Sequence, residues 1–155
     1  MTYYTRVLKD EDFEEASHMM FRTFYRYVLP TYSEEGVRFF RDATSALSLS
    51  MNTFDKSIVV YGCFDGEKLC GVLARKGKNH ILLYFADERY VGRGVGRQLF
   101  QRFLKSVDPE KPITVNSTDF AVPIYKHYGF VPTGHRRMEE GVTYTPMKRA
   151  PVGVL

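Results

Sequence analysis

Several things are scarce or missing in this chain of 155 residues. It has two cysteines, Cys63 and Cys70, too few for a disulfide framework. They fall on neighbouring segments joined by a turn, and the expectation is two free, buried thiols in a reducing compartment. No apolar run is long enough to span a bilayer, and MTYYTRVLKDEDFEE has no signal-peptide character, so a cytoplasmic protein is expected. His18, His80, His127 and His135 show no ligand spacing with cysteines or carboxylates, so no metal is expected. There is no Gly-x-Ser-x-Gly elbow, which disfavours an acyl-enzyme. There is no tryptophan, and the aromatic supply is eleven Tyr and twelve Phe. Part of it must fill a core and part is available for a pocket. The net charge of +4 is too mild to imply nucleic acid, but it suits a ligand with several phosphates.

The chain carries no repeat, low-complexity stretch or linker, and residues 1–155 read as one domain. Residues 2–8 alternate as a first strand. Asp10-Glu11-Asp12 opens a helix with Phe13, Ala16, Met20 and Phe24 on one face, and Pro30 ends it. Ser33-Glu34-Glu35 opens a second, carrying Val37, Phe40 and Ala43. Three strands follow, at Ser57 to Phe64, Leu69 to Lys76 and His80 to Ala86, joined by turns at 65–68 and 77–79. The third is so apolar that burial on both faces is expected. Val95, Leu99, Phe100, Phe103, Leu104 and Val107 then form a helical stripe, ended by Pro109 and Pro112. Ile113 to Asn116 is a short strand. Asp119 is placed to cap a helix running to Tyr128, with Pro123 near its start and Gly129 as a left-handed stop. Residues 130–136 and 142–148 pair as a hairpin around Glu139-Glu140-Gly141. The fold class is α/β: a mixed, mostly antiparallel twisted sheet with helices on both faces.

The segment richest in chemical information is Ile81 to Phe100, ILLYFADERYVGRGVGRQLF. A strand enters a turn with Gly92, Gly94 and Gly96, and a helix begins at once. Glycine lets the backbone curl and approach a ligand closely. The helix start offers unpaired N–H groups and the positive end of a dipole. Arg93 and Arg97 add charge beside this nest. The ligand that fits is a pyrophosphate. The Rossmann fingerprint fails, since Arg97 stands where its third glycine belongs, and the Lys-Ser/Thr of a P-loop is absent. The bland alternative is a strand-to-helix connection without a ligand.

Val91-Gly92-Arg93-Gly94-Val95-Gly96, followed by Arg97-Gln98-Leu99, resembles the acetyl-CoA loop of the GNAT superfamily of N-acetyltransferases. That loop reads Gln/Arg-x-x-Gly-x-Gly/Ala. Gly94 and Gly96 match its last two positions, and Val91 departs from the first. Arg89-x-x-Gly92-x-Gly94 is a second register, which starts the helix two residues late. Asn116 to Phe130, NSTDFAVPIYKHYGF, is similar to the family's second signature through Ala121, Tyr125, Gly129 and Phe130, with Thr118 where Asn is common. The resemblance covers residues 57–148 and, for 1–56, only the layout.

The resemblance implies a splayed central strand, here Ile81 to Ala86, with the pantetheine of acetyl-CoA in the gap. Backbone groups of Phe85 and Ala86 would pair with its amides. Val91, Gly92, Arg93, Gly94, Val95, Gly96, Arg97 and Asn116 would complete the cofactor site. A neutral amine, on a small molecule or a peptide, would attack the thioester directly in a ternary complex. Tyr125 would protonate the departing thiolate, since a phenol with a pKa of about 10 is protonated at neutral pH. Glu34, Glu35 and Tyr84 are candidate bases by location. The basic run His135-Arg136-Arg137 falls near the expected acceptor side. A homodimer is compatible with the sequence, and neither nucleic acid nor membrane is expected as a partner. The alternative is a sensor or interaction module that holds acyl-CoA without turnover. A third reading, duplex binding by the basic face of residues 89–105, predicts salt-dependent affinity and indifference to CoA.

Overall fold

The computed structural model describes residues 2–153. In chain order the elements are β1 (Tyr3–Val7), α1 (Phe13–Tyr27), α2 (Glu34–Ala43), α3 (Ala46–Thr53), β2 (Ile58–Asp65), β3 (Lys68–Lys76) and β4 (His80–Ala86). Then come α4 (Val95–Leu104), β5 (Ile113–Ser117), α5 (Val122–His127), β6 (Val131–Pro132), β7 (Arg137–Glu139) and β8 (Val142–Arg149). The sheet runs β1-β2-β3-β4-β5-β8-β6, with β7 paired to β8. Among the described residues every pairing is antiparallel except β4 with β5.

Alternation along β2 and β3 builds a core on each face. Val60, Phe64, Leu69, Val72 and Ala74 meet α1, α2 and α3. Tyr61, Cys63, Cys70 and Leu73 meet α4. The α1 stripe of Phe13, Met19, Met20 and Phe24 is almost wholly buried. Each of these side chains contributes roughly 1.5–3 kcal/mol through the area it removes from water. Phe24 stacks on Phe40 of α2 at 3.9 Å between centroids, which ties the two helices together. Both cysteines are free and buried, and the Cys70 thiol donates to the Cys63 carbonyl.

Four expectations are corrected. β4 is not buried on both faces: Ile81 is buried, but Leu82 is 42% exposed and residues 83–86 are half-buried. Its apolar residues line a cleft instead of a core. Asp119 does not cap α5, because its carboxylate is held by Arg136 (Nε to Oδ1, 2.9 Å). The Thr118 hydroxyl takes the Ala121 N–H instead, and α5 is the shorter helix 122–127. The first arm of the closing hairpin is broken, and only Val131–Pro132 and Arg137–Glu139 pair with β8. Finally, α3 lies where no helix is expected. Ser45 caps it by accepting the Ser48 N–H, and Leu49 is its buried residue.

Candidate active site

Two irregularities open the sheet. The β3–β4 register slips after Ala74↔Leu83, which makes Leu82 a bulge. The parallel pairing of β4 with β5 stops after Ile81↔Val115. Beyond that point the two strands part. A bulge also reverses which backbone groups face which neighbour. Asp87 N–H donates to the Cys70 carbonyl, and Val72 pairs with Phe85. In an antiparallel ladder this phase turns the Phe85 N–H and C=O toward β3, and those of Tyr84 and Ala86 toward the gap. Of the two strand residues named from the sequence, Ala86, with Tyr84, has its backbone facing the gap, and Phe85 has its backbone facing β3.

The gap belongs to a cleft of ≈ 1300 Å³ that runs from the start of α4 to α1, α2 and α3. Phe85, Ala86, Val91, Gly92, Gly94, Val95, Gly96, Arg97, Asn116 and Tyr125 all line it. Arg93 does not; its guanidinium lies over the Tyr90 ring at 5.5 Å.

At the α4 end, Gly94 is the residue before the helix, with φ of 85°. That left-handed conformation disfavours any residue with a Cβ, and a Cβ there would point into open space. The N–H groups of Gly94, Val95, Gly96 and Arg97 find no acceptor among the described residues. They form an anion-binding helix start. Arg97 is exposed beside it. The turn is supported from beneath by Asp87, which is 2% exposed and accepts from the Arg89 backbone and guanidinium. The hydrogen bond from the Arg89 side chain holds the Asp87 carboxyl below its ordinary pKa, against the opposing effect of burial.

Tyr125 is 5% exposed, with its ring edge-on to Phe130 at 5.3 Å. Gly129, at φ of 92°, ends α5 and lets the chain turn so that Phe130 lies under Tyr125. The Tyr125 hydroxyl takes no hydrogen bond from the described residues. The Tyr125 side chain lines the cleft. Burial pushes its pKa up, which keeps the phenol protonated well above neutral pH. Tyr84 is differently placed. Its hydroxyl donates to the Gly96 carbonyl and lies 3.4 Å from that of Tyr128. Burial drives its pKa far up, so it is no base near neutral pH. Glu34 and Glu35 are exposed on the first turn of α2 and do not line the cleft.

The opposite end carries residues for which the sequence gives no signal. Tyr27, Tyr32, Phe39, Phe40, Leu49, Phe120 and Tyr144 line it, with Glu139 and Glu140 from the β7–β8 turn. The pKa of Tyr32 is pushed up to about 12, first by burial and then by the Asp119 carboxylate. The basic run is spent or outside: Arg136 is paired with Asp119, and none of His135, Arg136 and Arg137 lines the cleft.

Comparison with known proteins decides the family. Residues 28–151 match the model of the acetyltransferase (GNAT) domain. The chain belongs to the GNAT acetyltransferase family. Solved structures share the GNAT fold over nearly its whole length. An N-acetyltransferase from Rhodopseudomonas palustris superposes with a TM-score of 0.83 at 20% identity, covering 97% of this chain and 96% of the other. The PaiA N-acetyltransferase of Thermoplasma acidophilum, solved in complex with coenzyme A, gives 0.80 at 17% identity, covering 97% and 99%. Apo YjaB from Escherichia coli gives 0.72 at 25% identity, covering 99% and 100%. No curated protein sequence matches significantly. Among the described residues of this GNAT chain, no helix is long and apolar enough to cross a membrane.

Proposed function

We propose that this GNAT protein moves an acetyl group from acetyl-CoA to a primary amine by direct attack in a ternary complex. The observation that carries the proposal is a single continuous cleft. It joins an unpaired helix start, a parted strand pair and a lining tyrosine whose hydroxyl has no hydrogen-bond partner among the described residues. The N–H groups of residues 94–97 and the Arg97 guanidinium suit a pyrophosphate. The backbone of Tyr84 and Ala86 suits the pantetheine amides, and an N–H in that gap suits the thioester oxygen. Tyr125 is the proton donor.

The balance is simple. A C–N bond forms as the thioester C–S bond breaks. The attacking nitrogen loses its proton to water, and Tyr125 gives its proton to the leaving sulfur, then recovers one from solvent. Proton donation by a positioned side chain is worth about 10²–10⁴-fold in rate.

The test mixes the protein with acetyl-CoA and a panel of amines and follows free thiol and N-acetyl product together. Product formation supports the enzyme reading. Tight acetyl-CoA binding with no product from any amine would replace it with the binding-module reading.

A further inference from the structure

Resting on that reading, we infer that the amine end of the cleft takes a small primary amine with an alkyl or aryl-alkyl body and no carboxylate beside the amine. Closure, lining and charge all lead there.

The closure is physical. The two walls of the amine end are α1 and α2 on one side, and the β5–α5 loop with the β7–β8 turn on the other. They are bridged at two points. The Ser33 backbone N–H and hydroxyl both donate to the Gly141 carbonyl, at 3.4 Å and 3.3 Å. Gly36 lies so close to that carbonyl that no side chain fits between them. Tyr27 stacks on Phe120 at 5.1 Å between centroids. An extended peptide would have to break one of these bridges to lie between the walls, whereas a small molecule need not.

The lining is apolar. Phe39, Phe40, Leu49, Leu83, Tyr32 and Phe120 face the space. The polar groups among them are partly engaged: the Thr44 hydroxyl donates to the Phe40 carbonyl, and the Asn52 amide to the Ser48 hydroxyl. Such a wall rewards an apolar body by the area it covers.

The charge is one-sided. The charged side chains lining the cleft are Arg97, at the α4 end, and Glu139 and Glu140, at the amine end. Arg41 of α2 lies over Phe21 at 5.1 Å and Arg137 is engaged beside the Tyr144 hydroxyl; neither lines the cleft. A substrate carboxylate would therefore be desolvated with no cationic partner, beside two like charges, which is costly. An ammonium is instead drawn in at the exposed rim by Glu140 and loses its proton before attack.

The experiment uses the full chain with saturating acetyl-CoA. Acceptors are 2-phenylethylamine, hexylamine, phenylalanine and a short peptide with a free N-terminus. Calorimetric binding of each to the CoA-bound protein is run in parallel. The expected result is a kcat/KM for 2-phenylethylamine about tenfold or more above phenylalanine and the peptide, given the cost of an unpaired carboxylate. E140Q should raise its KM about two- to fivefold, the usual range for one exposed charge, with kcat unchanged. Equal or better transfer to phenylalanine or the peptide overturns the inference and leaves the acetyltransferase reading intact. An unchanged KM in E140Q overturns the charge complementarity on which the inference stands. If no acceptor is acetylated, the transferase reading fails and calorimetry decides the inference. A tenfold preference for 2-phenylethylamine over phenylalanine upholds it, and its absence overturns it.

Discussion

At the α4 end of the cleft the groups on offer are unpaired backbone N–H groups, held in place by one glycine at φ of 85° and by a buried Asp87 beneath the turn. At the amine end they are side chains from α1, α2, α3, the β5–α5 loop and the β7–β8 turn. The first arrangement depends on a few consecutive residues and on the start of a helix. The second depends on how distant segments pack. A site made of backbone tolerates drift in most side chains provided its glycines remain. A site made of side chains is retuned by almost any substitution in its wall.

That contrast can be tested from both ends. The largest effect is expected where the two ends meet, at Tyr125. Tyr125→Phe keeps the ring against Phe130 and removes only the hydroxyl. Single-turnover transfer should fall about 10²–10⁴-fold with acetyl-CoA affinity nearly unchanged. An undiminished chemical rate would remove Tyr125 from the mechanism, and weaker binding with normal chemistry would recast it as a residue that positions the cosubstrate.

Gly94→Val attacks the backbone end alone. The valine would sit in a left-handed conformation at a cost of roughly 1–2 kcal/mol, with its side chain in the open space over the helix start. CoA affinity measured by calorimetry should fall beyond detection while circular dichroism still reports a folded chain. Retained affinity in the folded variant would show that the turn does not hold the pyrophosphate.

A smaller effect is expected at the bridge over the amine end. Ser33 caps α2 by accepting the Gly36 N–H at 3.2 Å, and also donates to Gly141. Ser33→Ala should cost about 1 kcal/mol in chemical denaturation, the usual worth of such a cap. It should also relax discrimination against the peptide acceptor more than it changes CoA affinity. Equal changes at both ends would mean that the two regions are not separable.

The mildest effect concerns acid. The carboxyl of Asp87 is held below its ordinary value of 3.8 by Arg89. A carboxylate whose folded pKa is depressed contributes stability above its unfolded pKa and loses it as pH falls through the folded value. Denaturation midpoints compared between pH 6 and pH 2 should therefore drop less in Asp87→Asn than in the parent, the difference arising below about pH 3.9. Identical acid profiles would show that Asp87 titrates alike in the folded and unfolded chains.

Much of the α4 end was legible in the linear sequence because its determinants are local. Three glycines, a following apolar stripe and two arginines predict a turn, a helix and an anion. Gly94 and α4 stand where that pattern puts them. Arg93 shows the limit of such reading. Its neighbours predict charge at the nest; in the structure the guanidinium lies over the Tyr90 ring at 5.5 Å and Arg93 does not line the cleft. Phe85 and Tyr84 show another: one bulged residue, Leu82, decides which of them turns its backbone to the gap. α3 went unread because its exposed Leu47 and Met51 blur the amphipathic signal, leaving only the Ser45 cap and one buried residue, Leu49.

Local residue pattern suffices for the strands at 57–64 and 69–76 with their turns, the glycine turn at the start of α4, and the Tyr125-to-Phe130 segment with its left-handed stop. These rest on periodicity and on backbone conformations that few residues other than glycine adopt readily. Packing between distant segments sets β4 along a cleft, leaves Asp119 holding Arg136 instead of capping a helix, and brings Gly141 over Gly36. Each of those outcomes depends on which segments, far apart in the chain, come to lie within a few ångströms. No local pattern of residues carries that information.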